Sequence, residues 1–412
     1  MSPSWSEMTR RFGRIGLLSF GGPAAQIGLM HRELVDEAKW LDEPTFLRGL
    51  GFCTLLPGPE AMQLATFAGW RLRGIGGGLL AGLLFVLPGA CVVIALAAAY
   101  LAYGRLPLVE AAFLGVKAAT LAIVAGALWK LRDKAARGPV ALCVAAAAFL
   151  ALFLLDAPFW AVLGAALLLG TLRPEGQAEV GPVAAGGTMR TILTWLVIWW
   201  APLLLLIALA PGSIPAQAGL FFSWLATVSF GGAYAVLAAL TQNAVDVYGW
   251  LTPEQMIDGL GLAETTPGPL ILVTVFTGWL GGAQGGGWPL AAATALVTLW
   301  ATFAPCFLWI FAGAPHLERL TGLPRLRGAL SMVSAAVAGV IANLSLWFAI
   351  HILFRDVSEA AFGPPRPDWT SFDPVAAGLA AVAAGWLLVL KRGVLETLLV
   401  AAALATGAHL VF

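Results

Sequence analysis

The chain has 412 residues, 60% of them hydrophobic and only 11% charged, with a mean hydropathy of +0.87. A water-soluble globular chain carries about 25% charged residues, so the composition excludes one and points to an integral membrane protein. The formal net charge of +1 offers no basic surface for nucleic acid, and no strand-like alternation suggests a β-barrel.

A helix needs about 20 mostly apolar residues to cross a bilayer. Taken in chain order, such spans are expected at 14–34, 44–70, 76–103, 108–129, 139–156, 158–172, 191–210, 217–241, 252–280, 288–312, 328–353, 374–390 and 393–411. The fold class is therefore an all-α polytopic membrane protein with about thirteen transmembrane helices. Arg10, Arg11 and Arg14 precede a long Gly-containing segment, so no cleavable leader is expected. Cytoplasmic loops are enriched in Lys and Arg. With the N-terminus inside, sixteen of the 23 basic residues fall in inside loops, including the run at 130–137, and only Lys39, Arg105, Arg355 and Arg366 fall outside. The tally favours 44–70 as a full, though broken, crossing, with the N-terminus cytoplasmic and the C-terminus periplasmic or extracellular.

Self-comparison divides the chain. At an offset of 210, residues 19–59 align without gaps to 229–269, with fifteen identities in 41 positions. "SFGG" at Ser19 meets "SFGG" at Ser229, Trp40-Leu41 meets Trp250-Leu251, and Pro-Gly-Pro at Pro57 meets Pro-Gly-Pro at Pro267. A weaker match continues at an offset of 217, where Pro88 meets Pro305. The expected organisation is an N-terminal repeat at 1–172, a polar linker plus central helix at 173–216, and a C-terminal repeat at 217–412. Six spans plus one is an odd number, so the second repeat enters the membrane inverted, as in many secondary transporters.

Pro57-Gly58-Pro59 and Pro267-Gly268-Pro269 must unwind their helices, because proline removes a backbone donor and clashes with the preceding turn. In lipid the freed groups are costly, so the breaks must face protein or a wet cavity. The half-helices that follow present free N–H groups and positive dipole ends, an anion site made of backbone. Ser19 and Ser229 offer hydroxyls, as do Thr265 and Thr266. Gly21, Gly22, Gly231 and Gly232 permit close backbone approach, and Gln63 can donate to an oxyanion. Plain packing kinks would explain the same residues without a ligand.

Ionisable residues inside spans tend to be functional. Lys117 lies deep in an apolar helix, suited either to an anion pathway or to pairing with a carboxylate. Glu60, Glu264 and Glu33 are candidates for a coupling proton, though Glu60 could instead cap its half-helix. Arg32, near the outer end of the first span, and Arg71, at the cytoplasmic interface, are candidates for collecting anions. Cys53, Cys91, Cys143 and Cys306 show no metal or redox spacing. The four histidines form no ligand motif and there is no ATP-binding P-loop, so an enzyme, a metal site and a cofactor are not expected.

The motifs "LSFGGP" from Leu18 and "LPGPEAMQLA" from Leu56, with the second "SFGG" and "PGP", resemble the chromate ion transporter family in its long two-domain form. The resemblance covers essentially the whole chain. It implies export of chromate across the inner membrane by proton antiport, giving chromate resistance, with sulfate as a competing tetrahedral dianion. It carries Ser19 to Pro23, Pro57 to Gln63, Ser229 to Gly232 and Pro267 to Pro269 over as the paired motifs, and Lys117 as the in-membrane lysine. Ala233 departs from the pattern, standing where the first repeat has Pro23. An uncoupled anion channel and a transporter of sulfate or another oxyanion stay open, as does a homodimer. The partners expected are the oxyanion, protons and the lipid bilayer.

Overall fold

The computed structural model describes residues 3–135, 138–176, 187–230, 233–358 and 363–411. Among them the helices in chain order are α1 (Trp5–Leu18), α2 (Gly22–His31), α3 (Glu43–Cys53), α4 (Glu60–Tyr103), α5 (Pro107–Ala135), α6 (Pro139–Leu155), α7 (Phe159–Thr171), α8 (Thr188–Leu209), α9 (Ile214–Val228), α10 (Ala233–Thr241), α11 (Pro253–Thr265), α12 (Val273–Gly313), α13 (Leu317–Thr321), α14 (Pro324–Leu353), α15 (Pro374–Ala384) and α16 (Val394–Val411). A two-residue ribbon pairs Val357–Ser358 with Arg366–Pro367. Five helical stretches among the described residues are long and apolar enough to cross a membrane, beginning at Glu60, Pro107, Thr188, Leu270 and Pro324, and shorter apolar helices accompany them. This is an all-α, multi-pass membrane protein.

The chain forms two compact units. Unit one holds Met1–Ala97, Glu175–Val236 and Thr266–Arg327; unit two holds Ala98–Pro174, Leu237–Thr265 and Gly328–Phe412.

In unit one the first two expected spans do not run straight through. Residues 14–34 break at Ser19, and α2 returns beside α1. Arg11 on α1 reaches Glu33 just past α2 at 2.7 Å, and Arg14 reaches the same carboxylate at 3.4 Å. A continuous helix would hold Arg11 and Glu33 about 33 Å apart at 1.5 Å per residue. Residues 44–70 also fold back. Gly49 on α3 lies against the Phe67 ring of α4, and Thr45 and Arg48 line one cavity with Trp70 and Arg71. The expectation of a broken but full crossing at 44–70 is corrected on this geometry.

Helix α4 is itself two limbs. Arg73 and Gly74 leave the helical region, and the limbs then lie antiparallel, with Gly69 on Gly77 and Ala81 and Gly82 on Thr66. Helix α12 repeats the device at Gly286 and Gly287, with Gly278 against Thr298. Helix α12 also packs along α8 and α9, where Trp195 stacks on Phe307 at 5.6 Å and the Trp199 indole N–H donates to Ser223 at 3.1 Å.

Unit two is built around α5, against which α11, α15 and α16 pack. Small residues make the contacts: Gly115 meets the Ala401 backbone, and Ala119 and Ala122 cluster with Ala383, Leu398 and Ala401. Helices in lipid gain little from burying apolar area, so close packing of this kind supplies the association.

The repeat recorded in the sequence has a structural counterpart. A wide π-type turn spans Arg32–Glu37 and recurs at Gln242–Val247. The Ala38 N–H donates to the Glu33 carbonyl, and the Tyr248 N–H to that of Asn243. The Trp40 and Leu41 N–H groups share the Leu34 carbonyl, as those of Trp250 and Leu251 share that of Ala244. The paired Trp-Leu identities therefore hold the same turn.

At the start of α15, Asp373 accepts from the Val375 and Ala376 N–H groups through one oxygen and from Arg355 at 2.8 Å through the other. Burial alone would raise its carboxyl, but these donors hold it below the usual range. A lowered carboxyl stabilises the fold above its ordinary titration range, and that stability is lost as pH falls through the folded value. Asp373→Ala is expected to cost about 0.5–2 kcal/mol in thermal unfolding at pH 7, with the difference from wild type shrinking in acid.

Candidate functional site

All four chain breaks named by the repeat lie in unit one. Their arrangement is reciprocal. The Gly58 N–H of the first Pro-Gly-Pro donates to the Ser229 carbonyl of the second repeat at 3.0 Å. The Gly268 N–H of the second Pro-Gly-Pro donates to the Ser19 carbonyl of the first at 2.9 Å. Each break thus satisfies its counterpart in the other repeat, the pattern a two-fold relation produces. Neighbouring contacts obey the same exchange: Cys306 packs on Gly58, and Gly89, its equivalent at the 217 offset, packs on Pro267 and Gly268.

The glycines are fixed by backbone geometry. Gly58 has φ +114 and Gly268 φ +92, a region that side chains avoid. Two glutamines brace the breaks. The Gln63 amide donates to the Pro57 carbonyl at 2.6 Å, and the Gln26 amide donates to the carbonyls of Gly268 at 2.6 Å and Ser19 at 3.1 Å. Both side chains are buried, and the Oε1 of each is left without a hydrogen bond. Gln26 was not among the residues singled out from sequence; it has no counterpart glutamine in the second repeat, where Val236 stands.

The serines act differently from expectation. The hydroxyls of Ser19 and Ser229 donate to their own helices, at Ile15 and Ala226, and it is their carbonyls that receive the opposite break. Thr265 likewise donates to Leu262, while Thr266 is buried. Pro59 is the last residue before α4 and Pro269 the last before the turn that opens α12. Glu60 is the first residue of α4, where a carboxylate favours the helix dipole. Its counterpart is the buried Leu270, so the second break carries no acid at that place. Gly21 and Gly22 take left-handed backbone at the start of α2. Gly231 and Gly232 lie outside the described residues.

The charged candidates separate. Glu33 is fully buried and taken by Arg11 and Arg14. Arg32 is exposed, 3.9 Å from Glu37. Arg71 faces a cavity of about 250 Å³ that Arg48 also lines, with Thr45, Phe67 and Trp70. In unit two, Lys117 is paired at 3.5 Å with Asp258, whose other oxygen accepts from the Tyr100 hydroxyl at 2.8 Å. Glu264 is buried on the same helix as Asp258. Asp258 was not among the residues singled out from sequence; it aligns with Arg48 at the 210 offset, and a carboxylate within the apolar stretch 252–280 was the signal that could have raised it.

The family described as Chromate transporter matches residues 6–171 and 216–408. A probable chromate transport protein of Synechococcus elongatus is 32% identical over 351 residues, covering 82% of this chain and 83% of the relative. Chromate transport proteins of Cupriavidus metallidurans and Pseudomonas aeruginosa are also 32% identical, covering 81% and 82% of this chain and 80% and 79% of theirs. No solved structure matches. With the family match spanning both repeats and the curated relatives spanning four-fifths of the sequence, the chain belongs to the chromate transporter family.

Proposed function

We propose that this protein is a secondary transporter that exports chromate across the inner membrane in exchange for protons and so confers chromate resistance. The observation that carries the reading is the reciprocal pairing of the breaks, Gly58 with Ser229 and Gly268 with Ser19. Unwound backbone in a membrane is tolerated where it is buried in protein or lines a polar path. Gly89, which packs on the second break, stands half-way along the 75–103 limb of α4, a helix of about 43 Å. The break is then near mid-membrane depth. A tetrahedral dianion there meets the first-turn N–H groups of α12. Arg48 and Arg71 form its mouth. Sulfate, of the same charge and shape, competes.

The fold-back of α2 and of the first α4 limb also revises the crossings. If the second repeat follows the first, nine segments cross: the second limb of α4, α5, α6, α7, α8, the second limb of α12, α14, α15 and α16. Five of these, the four of the first repeat and α8, precede the second repeat, an odd number, so the repeats are inverted; nine in all is odd as well, so with the N-terminus cytoplasmic the C-terminus is periplasmic. Lys39 moves to the inside, leaving only Arg105, Arg355 and Arg366 outside.

The test is radiolabelled chromate uptake into inverted membrane vesicles. Accumulation is expected under an imposed inside-acid gradient, with collapse on adding a protonophore and competition by sulfate. Uptake indifferent to the gradient would mean a channel, and no chromate flux would end the substrate assignment.

A further inference from the structure

We infer that Asp258 is the group that carries the coupling proton, with Lys117 as its counter-ion rather than an anion ligand. This rests on the reading that transport is coupled to protons. Asp258 is 4% exposed, on α11, and faces a cavity of about 570 Å³ within unit two. At about 30 Å³ per water in the liquid, that volume admits a water path to the carboxyl.

The charged and titratable side chains lining the cavity come from every side of it. The 98–105 segment supplies Tyr100 and Arg105, α5 supplies Glu110 and Lys117, and α11 supplies Glu254 and Asp258. Helix α16 also packs on α11, but its Glu396 and His409 do not line the cavity. Two cations against three carboxylates leave a net charge of −1, which attracts protons and repels an oxyanion. The cavity of unit one differs in sign, since among the described residues its lining holds Arg48 and Arg71 and no carboxylate. Charge thus assigns the anion to one cavity and the proton to the other.

The two carboxyl oxygens of Asp258 are not equivalent. Oδ2 accepts from Tyr100, whereas Oδ1 is buried and, among the described residues, faces only the Lys117 ammonium at 3.5 Å. A proton therefore binds at Oδ1. The resulting neutral acid keeps the Tyr100 bond at Oδ2 and no longer neutralises Lys117, so the ionic tie between α5 and α11 is released. Loss of the proton restores the tie. Of the other acids, Glu33 is already held by two arginines, and Glu60 stands in the first turn of α4, where the helix dipole favours its charged form.

Asp258→Asn removes the proton site and keeps the shape. In vesicles, this variant is expected to lose gradient-driven chromate accumulation while still exchanging internal for external chromate. Glu264→Gln, on the same helix, is expected to keep the gradient response. Lys117→Ala removes the cation that favours the carboxylate, so the midpoint of the pH profile of accumulation is expected to move to more alkaline pH. Asp258→Asn that still accumulates chromate with the gradient, or Lys117→Ala with an unmoved midpoint, would overturn the assignment. Infrared difference spectra of the purified protein between acid and neutral pH give a readout that needs no substrate. A protonated-carboxyl band present in wild type and missing in Asp258→Asn supports the inference even if chromate proves not to be the cargo, and a band unchanged in the variant refutes it.

Discussion

Gly58→Ala and Gly268→Ala are each expected to cut chromate flux by roughly fivefold to a hundredfold, with the larger loss at Gly58. Both glycines hold left-handed backbone, at φ +114 and +92, where a side chain costs about 1–3 kcal/mol, and 1.4 kcal/mol corresponds to a tenfold change. The two sites differ in what a methyl group meets. At Gly58 it would come to 2.8 Å from the Gln63 amide and 3.0 Å from the Cys306 sulfur; at Gly268 the nearest atom, on Leu272, is at 3.1 Å. The Gln63 amide braces the break and cannot move without releasing the Pro57 carbonyl. Gly58→Ala therefore disturbs both the turn and its support. Cys306→Ala removes the sulfur and is expected to restore part of the flux in the Gly58→Ala background, because contacting residues are not additive. Gly13, with open space where its Cβ would point, is the control, and Gly13→Ala should transport as wild type does. Vesicle uptake normalised to folded protein decides the matter. Wild-type flux in both break variants would mean that the breaks are packing kinks.

Arg48→Gln and Arg71→Gln are expected to raise the chromate concentration for half-maximal uptake by up to about tenfold each, with the maximal rate largely kept. These arginines are 23 positions apart and share one cavity only because α3 folds back beside α4. Two guanidiniums at a mouth lined, among the described residues, by no carboxylate concentrate a dianion there and speed its capture. Asp42, close by, is occupied in capping α3 through the Thr45 N–H at 2.8 Å. Salt screens such attraction, with a Debye length of about 10 Å at 0.1 M. Wild-type uptake should then weaken as ionic strength rises, and the double variant should respond less. Equal salt dependence in wild type and double variant would remove the mouth from the pathway.

The membrane class, the two repeats and their paired breaks were legible in the residues themselves. Hydropathy reports burial in lipid segment by segment, and Pro-Gly-Pro forces a break whatever surrounds it. The direction the chain takes after the break was not legible. A kinked crossing and a fold-back have the same hydropathy and the same breaking residues; Phe67 lying on Gly49 and Glu33 lying between Arg11 and Arg14 decide between them. The serine hydroxyls looked like ligands in the sequence because nothing there says that Ile15 and Ala226 already take their protons.

Local chemistry and repetition thus determined what kind of protein this is, which residues break its helices and that two halves correspond. Only the tertiary structure decided that each break is satisfied by its counterpart across the repeat, that Arg48 meets Arg71, and that Lys117 meets Asp258. Those partners are separated by 23 to 249 residues, and a side chain's charge or donor does not encode which distant group will reach it. The packing of small residues, which lets helix backbones approach closely, sets those meetings.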